Sequence, residues 1–313
     1  MSSSETNMHL TIAGTGAMAC LFGARLAPVA RVTLTGSWAD GIAAIRDSGI
    51  AVEGCQERTV TRVAAVAWGA PIEPADLVLV LVKAWQTEEV ARHLERLLKP
   101  GAVALTLQNG LGNLEALGPR ACLGVTYEGA TLLGPGRVQP GGTGPTWIAG
   151  PEWTVHLLQR AGMVAEQVGP ERVDSLLWGK LVVNCGINAL TAILGDRNGE
   201  LLRRQDAVLL MQRAAVECAA VAEARGISLQ FPDPAEKARE VALLTAGNRS
   251  SMLQDVLRGA PTEIEAINGA VARWGERLGV PTPVNEVLYR LVRALVGMPS
   301  AAPGTGVRNP CER

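Results

Sequence analysis

Apolar residues follow two different rhythms along the chain. In the first half they come in short segments, each read as a strand: HLTIA at 9–13, RVTLT at 31–35, ADLVLVLV at 75–82 and AVALTL at 102–107. The continuous run ADLVLVLV suits a strand covered on both faces of a parallel sheet. Helical spacing fills the gaps, from the glycines after Ala13 to about Leu26, from Asp40 to Ser48 and from Thr87 to Leu98. Strands alternating with helices predict βαβ units. From Val125 to Gly150 glycine and proline interrupt short β-like pieces, as in GPGRVQPGGTGPTW. Antiparallel strands at the sheet edge are predicted there, then a helix at Trp153–Ala161 and a last strand near Val164–Val168.

The rhythm changes after about Glu171. Strand signals nearly stop, and long Ala/Leu/Val-rich helical patterns run to Val296, broken at FPDP, RGAP and VPTP. The pattern therefore predicts two domains: an α/β domain over 1–171 and an all-helical domain over 172–313. Residues 1–8 read as a polar tail, and the Gly/Pro/Ala-rich end from Pro299 is expected to fray.

Two polar features interrupt these patterns in places where chemistry is done. The first is Gly14-Thr15-Gly16-Ala17-Met18-Ala19, a GxGxxA turn between the first strand and the first helix. There a first glycine permits the tight turn, and a second lets the backbone approach a pyrophosphate. The helix N-terminus offers free N–H groups to the anion. The end of the second strand usually selects the cofactor, by an acid for NAD or an Arg for NADP. Here it carries Ser37 and neither charge, which removes an obstacle to NADP. Lys83 and Asn109 sit just past two apolar runs, at strand ends where open α/β sheets bind ligands.

The second feature lies in WGKLVVNCGINALTAIL, an otherwise apolar helix. Lys180, Asn184, Asn188 and Thr191 fall on one stripe of it. A solvated helix face carries charges of both signs; one Lys and two short amides fit a polar cleft better. A sparsely partnered ammonium lowers its pKa, which suits a Lys general acid. Further on, Thr262 reads as a helix N-cap and Glu265, three residues later, as its capping-box partner. Glu263 instead falls on the apolar side with Ile267, Val271 and Trp274, so its carboxylate requires a partner such as Lys180 or a substrate hydroxyl.

Composition narrows the picture. The chain has 313 residues, 48% hydrophobic and 19% charged, with two Phe and two Tyr. Its cores are therefore built from Leu, Val, Ala and Ile. A formal net charge of −1 gives no support to a nucleic-acid or membrane-surface partner. Six cysteines at 20, 55, 122, 185, 218 and 311 form no CxxC pair and are not grouped with the three histidines, so no metal site is expected. No apolar run reaches the ~18 residues of a membrane span, and the N-terminus lacks a secretory pattern. A cytoplasmic location follows as an expectation.

Together GTGAMA, LVKAWQT, QNGLG, LWGKLVVNCGINALTAIL, NGEL, NRSSMLQD and PTEIEAINGAV resemble the ketopantoate reductase (2-dehydropantoate 2-reductase) family, from about His9 to Val296. The resemblance implies a Rossmann-type doubly wound sheet, a C-terminal helical domain and an active site in the cleft between them. It implies NADPH-dependent reduction of 2-dehydropantoate to pantoate, on the route to pantothenate and coenzyme A. Lys180 then matches the general acid and Glu263 the acidic active-site residue. Asn184, Asn188, Asn248 and Ser251 match substrate contacts. Lys83 and Asn109 match cleft residues near nicotinamide and substrate, and Gly14, Gly16, Ala17 and Met18 match the cofactor turn. The expected partners are a small 2-oxo acid and, beyond it, a second copy of the chain as a homodimer. Two other readings stay open: a reductase of another branched 2-oxo acid, and a non-catalytic NADP-binding sensor that would not need Lys180 or Glu263.

Overall fold

A computed structural model describes residues 8–54 and 57–297. The polar tail before Met8 and the end from Pro299, expected to fray, lie outside them. The first part runs β1 (His9–Ala13), α1 (Ala17–Leu26), β2 (Arg31–Gly36), α2 (Ala39–Ser48), β3 (Ile50–Glu53), β4 (Arg58–Thr61), β5 (Ala64–Ala67) and β6 (Ala75–Val80). It continues through α3 (Thr87–Leu97), β7 (Leu98–Thr106), α4 (Asn113–Leu117), β8 (Ala121–Thr126), β9 (Gly129–Gly134), β10 (Arg137–Gly142), β11 (Thr146–Ala149), α5 (Glu152–Arg160) and β12 (Ala165–Gln167). The remaining helices are α6 (Pro170–Leu194), α7 (Gln205–Ala224), α8 (Pro234–Leu244), α9 (Ser251–Leu257), α10 (Asn268–Leu278) and α11 (Pro283–Val296).

Eight strands form the main sheet in the order β12-β11-β8-β7-β6-β1-β2-β5. Every neighbouring pair is parallel except β8–β11. β1 is buried along its whole length, its polar His9 and Thr11 included, because a central strand of a doubly wound sheet is covered on both faces. The chain goes outward from β1 to β2 and then returns to β6 on β1's other side, so the strand order reverses between β1 and β6. Such a switch point opens a crevice at the carboxyl ends of the strands. This is a Rossmann-type doubly wound sheet.

The expectation for Val125–Gly150 needs correction. Only β8 and β11 belong to the main sheet. β9 and β10 pair with β3 and β4 in a separate four-stranded sheet, ordered β4-β3-β10-β9. β3, β4 and β5 were not anticipated. They are four residues each, and β4 is largely exposed, so they carry no long apolar run. α1 packs between the two sheets with Leu21, Phe22 and Leu26 buried.

α6 joins the two parts of the molecule. Pro170 at its first turn and the left-handed Gly195 after its end (φ +71°) set its limits. At 25 residues it is about 38 Å long. Its first turns lay Val173 and Leu176 against Leu123 and Val125 of β8. Its remaining turns are the centre of a separate helical core with α7, α10 and α11, where Trp178, Val182, Met211, Ala215, Val271 and Val292 are buried. α6 is long and apolar enough to cross a membrane, but 72% of its apolar window is buried within the protein.

Candidate active site

The carboxyl ends of β1, β6, β7 and β8 lie side by side in the sheet. From them emerge the glycine turn, Lys83, Asn109 and Tyr127. α6 and the loop before α10 close over this edge, so the site is built between the α/β part and the helical part.

In the glycine turn the two glycines do different jobs. Gly14 has φ +132°, and a Cβ there would lie 3.1 Å from the Leu81 backbone. Its N–H donates to Thr35 O at 2.8 Å, which pins the turn to β2. Gly14 is therefore required by the fold itself. Gly16 has an ordinary φ of −84°, and a Cβ there would meet nothing within 4 Å. What Gly16 preserves is open space above the N-terminus of α1, where no side chain caps the first-turn N–H groups. Ala17 and Met18 flank this space. A diphosphate fits the donors and the room they leave. At the end of β2, Ser37 is exposed and accepts a hydrogen bond from Gln86 Nε2 at 3.2 Å. Both side chains are neutral.

Lys180 projects from α6 into the cleft. Its Nζ donates to the Thr126 carbonyl at 2.6 Å and stands 5.5 Å from the Tyr127 ring centroid. Burial drives its pKa down to about 8, against a smaller upward pull from the charge of Glu263. No carboxylate of the described residues comes within salt-bridge reach of it. Along the same stripe, Asn188 is buried and Asn184 half-buried, and their side chains make no hydrogen bonds among the described residues. Open amides beside a low-pKa ammonium are the groups a carbonyl substrate needs. Thr191, the last of the stripe, is fully buried and bonds to its own helix at Ile187 O (2.9 Å) and to Ser250 Oγ (2.7 Å). Ser250 in turn caps α9 through Leu253 N–H, so Thr191 is a brace between α6 and α9.

Glu263 is buried, but not by the route expected. Thr262 is no N-cap: α10 begins only at Asn268, and Thr262 Oγ1 is buried without a partner. Glu265 completes no capping box either; it faces outward to Arg273 and Tyr289. Residues 262–267 form turns, which let the chain close against the QNGLG loop. Leu111 N–H donates to Ala266 O at 2.9 Å, and Gly110 (φ +80°) approaches so closely that a Cβ would lie 2.5 Å from the same oxygen. Tertiary contact outweighs the local capping signal here.

The Glu263 carboxylate bridges three groups of the α/β part. Its Oε1 accepts from Ala84 N–H at 3.0 Å, and its Oε2 lies 3.5 Å from Asn109 Nδ2 and 3.7 Å from Lys83 Nζ. Of the two partners anticipated for Glu263, Lys180 or a substrate hydroxyl, Lys180 makes no direct pair with it. Lys83 takes that place. Lys83 Nζ also donates to Asp255 Oδ2 at 2.7 Å. Burial pulls the Lys83 pKa down, but the charges of Glu263 and Asp255 outweigh it, and the net shift is upward. Asp255 itself is buried on α9 and holds Arg258 as well, at 2.7 Å.

Asn109 is aimed by a buried relay. Asn113 Nδ2 donates to the Asn109 carbonyl, Thr87 Oγ1 donates to Asn113 Oδ1, and Gln108 Nε2 donates to Thr87 Oγ1 and to Val82 O. Ser251 starts α9 beside Asp255. Asn248 is exposed on the preceding loop, where its backbone carbonyl accepts from Asn198 N–H. Sequence reasoning missed Asp255, Gln86 and Tyr127. Asp255 was findable as a carboxylate among Met252, Leu253 and Val256 on a short helix, a position where a charge must be paired. Tyr127 obeys the same strand-end rule that singled out Lys83 and Asn109.

The profile described as "Ketopantoate reductase PanE/ApbA" matches residues 10–153, and its companion for the C-terminal region matches residues 172–296. The chain belongs to the ketopantoate reductase family. A 2-dehydropantoate 2-reductase from Halobacterium salinarum is 35% identical, over 91% of this chain and 98% of that one. One from Archaeoglobus fulgidus is 39% identical, over 71% and 77%. Among solved structures, a PanE/ApbA family ketopantoate reductase from Ralstonia eutropha JMP134 is 33% identical with a TM-score of 0.85, covering 92% of this chain and 98% of that one. A D-mandelate dehydrogenase, solved with NADH and anilino(oxo)acetate, is 27% identical with a TM-score of 0.86 and the same coverage. Backbone similarity therefore does not separate a chain named a ketopantoate reductase from one named a D-mandelate dehydrogenase. That choice rests on side chains.

Proposed function

We propose that the chain reduces 2-dehydropantoate to pantoate with NADPH, as a step in pantothenate and coenzyme A formation. The observation that carries this reading is Lys180, an ammonium with a pKa near 8 beside unpaired amides in the cleft, at the carboxyl edge of a dinucleotide-type sheet. When bound, the nicotinamide supplies a hydride to the ketone carbon. Lys180, oriented by the Thr126 carbonyl, gives its Nζ proton to the ketone oxygen as negative charge builds there. A positioned acid of this kind contributes about 10²–10⁴ in rate. The site tolerates the neutral amine left behind, because burial has already weakened the ammonium. Asn184 and Asn188 orient the substrate along α6, and Asn109 does so from β7. Ser251 and Asn248 receive the carboxylate end. Lys83, fixed by Asp255 and Glu263, lines the nicotinamide side. Gly14, Gly16, Ala17 and Met18 form the diphosphate cradle.

NADPH is preferred over NADH in this reading because Ser37 and Gln86 present no negative charge to a 2′-phosphate. The unit binding the cofactor is placed at 1–171 and the substrate unit after it. A cytoplasmic homodimer is the expected form; the outward stripe Val287, Leu291 and Leu295 of α11 supports a second copy as partner.

The test is purified chain with a panel of 2-oxo acids, each with NADPH and with NADH, followed by cofactor absorbance. Fastest turnover is expected with 2-dehydropantoate and NADPH. Faster turnover of another branched or an aromatic 2-oxo acid would select the second reading, which the D-mandelate dehydrogenase likeness favours. Tight cofactor binding with no turnover of any 2-oxo acid would leave a sensor instead.

A further inference from the structure

Tyr127 is the one aromatic side chain of the described residues that stands against Lys180. It is 47% exposed, an unusual state for a large ring in the wall of a site. It is nevertheless held in place. Its N–H donates to Pro145 O at 3.0 Å, and its ring meets Trp147 edge-on, with centroids 5.7 Å apart and planes at 89°. Trp147 is itself fixed by pairing with Val125 across β8–β11 and by its Nε1 donating to Glu166 at 3.1 Å. On the other side Gly144 makes room: a Cβ there would sit 2.6 Å from the Tyr127 Cβ. The ring is thus braced, with Lys180 Nζ 5.5 Å from its centroid.

A ketone oxygen taking the Lys180 proton sits about 2.6–3.2 Å from Nζ. Where that oxygen lies on the Tyr127 side of Nζ, its carbon and the first atoms bonded to that carbon reach van der Waals contact with the ring, whose centroid is 5.5 Å from Nζ. We propose that Tyr127, backed by Trp147, receives the carbon substituent of the 2-oxo acid and is a specificity-determining residue of this enzyme. The inference rests on the 2-oxo acid reductase reading. It adds the residue that separates a substituent with a quaternary, dimethylated carbon from a single methyl. The braced ring offers apolar surface that the larger group covers and the smaller one leaves wet.

The test compares wild type, Tyr127→Ala and Tyr127→Phe on 2-dehydropantoate and on pyruvate. kcat/KM is measured with saturating NADPH and with enough enzyme to follow slow turnover. Thermal midpoints serve as the control for folding. Tyr127→Ala should lower kcat/KM about tenfold for 2-dehydropantoate and less than about twofold for pyruvate, since hydrophobic-pocket discrimination is of this size. Tyr127→Phe, which keeps the ring, should restore the wild-type ratio. An equal loss on both substrates, no loss on either, or failure of Phe to restore the ratio overturns the role. Wild type that reduces no 2-oxo acid fails the reductase reading itself, and this inference with it.

Discussion

Two lysines face the same cleft and end in opposite states. Lys83 follows β6 and lies between Asp255 at 2.7 Å and Glu263 at 3.7 Å. Lys180 comes from α6 and donates to a backbone carbonyl, at 2.6 Å, beside an aromatic ring, with no carboxylate of the described residues in salt-bridge reach. Burial acts downward on both pKa values. Two carboxylates reverse it for Lys83, whereas the distant charge of Glu263 only moderates it for Lys180. The lesson concerns division of labour by partner. An ammonium flanked by anions is a fixed charge that keeps its proton, suited to holding geometry. An ammonium held by a neutral oxygen keeps a proton it can give away. One carboxylate, Glu263, touches the first directly and the second through its field, so it couples the two.

The largest expected effect comes from removing the lysine that is free to react. Lys180→Ala should cut kcat by about 10²–10⁴ while NADPH affinity, read by fluorescence titration, stays near wild type. Near-normal turnover would break the contrast between the two lysines. The pH profile then sharpens it. In the proposed role Lys180 acts in its protonated form, so kcat/KM should fall as pH rises through about 8. Glu263→Gln removes the charge that holds this pKa up, and the descending limb should move to lower pH. Lys83→Met leaves Glu263 less neutralised, and the limb should move to higher pH. Movement of both variants in one direction would show that the limb does not report Lys180.

Stability offers a third test with the opposite sign. The folded pKa of Lys180 lies below its ordinary 10.5, so the native state gives up the proton first. Its cost to folding is full below about pH 8 and gone above about 10.5. Lys180→Met should therefore resist urea better than wild type at pH 7 and lose that advantage at high pH. Asp255→Asn should do the reverse at the other lysine. It weakens contacts to Lys83 and Arg258 and should lower stability by about 1–2 kcal/mol, less than a fully buried pair because both cations are about a third exposed. The smallest effect is expected for Thr191→Val, which removes the brace to Ser250. A loss of about 1 kcal/mol with kcat unchanged would confine that residue to structure.

Several members of the candidate site are legible in the sequence. The stripe Lys180, Asn184, Asn188 and Thr191 follows from helical period alone, and all four lie on the one helix α6. The glycine turn follows from its place between an apolar run and a helix. Where the reading failed, local signals competed with distant contacts. Thr262 and Glu265 have capping-box spacing, yet the closure of Gly110 and Leu111 on Ala266 holds that segment in turns and starts the helix at Asn268. The short strands β3, β4 and β5 lack a period of their own. They exist because neighbouring strands supply their hydrogen bonds.

The longer strands and the helices between them, the place of the glycine turn and the low charge of the α6 stripe were determined by sequence alone, because each depends on period, glycine position or side-chain type within one segment. Partner choice was decided only by tertiary structure. Glu263 is 80 or more residues from both lysines in the chain, and nothing local says that it reaches Lys83 rather than Lys180. Nor does anything local say that Asp255 completes that pair, or that Tyr127 stands beside the other lysine. Charge interactions act over a few ångströms in space, and folding alone sets which groups come that close.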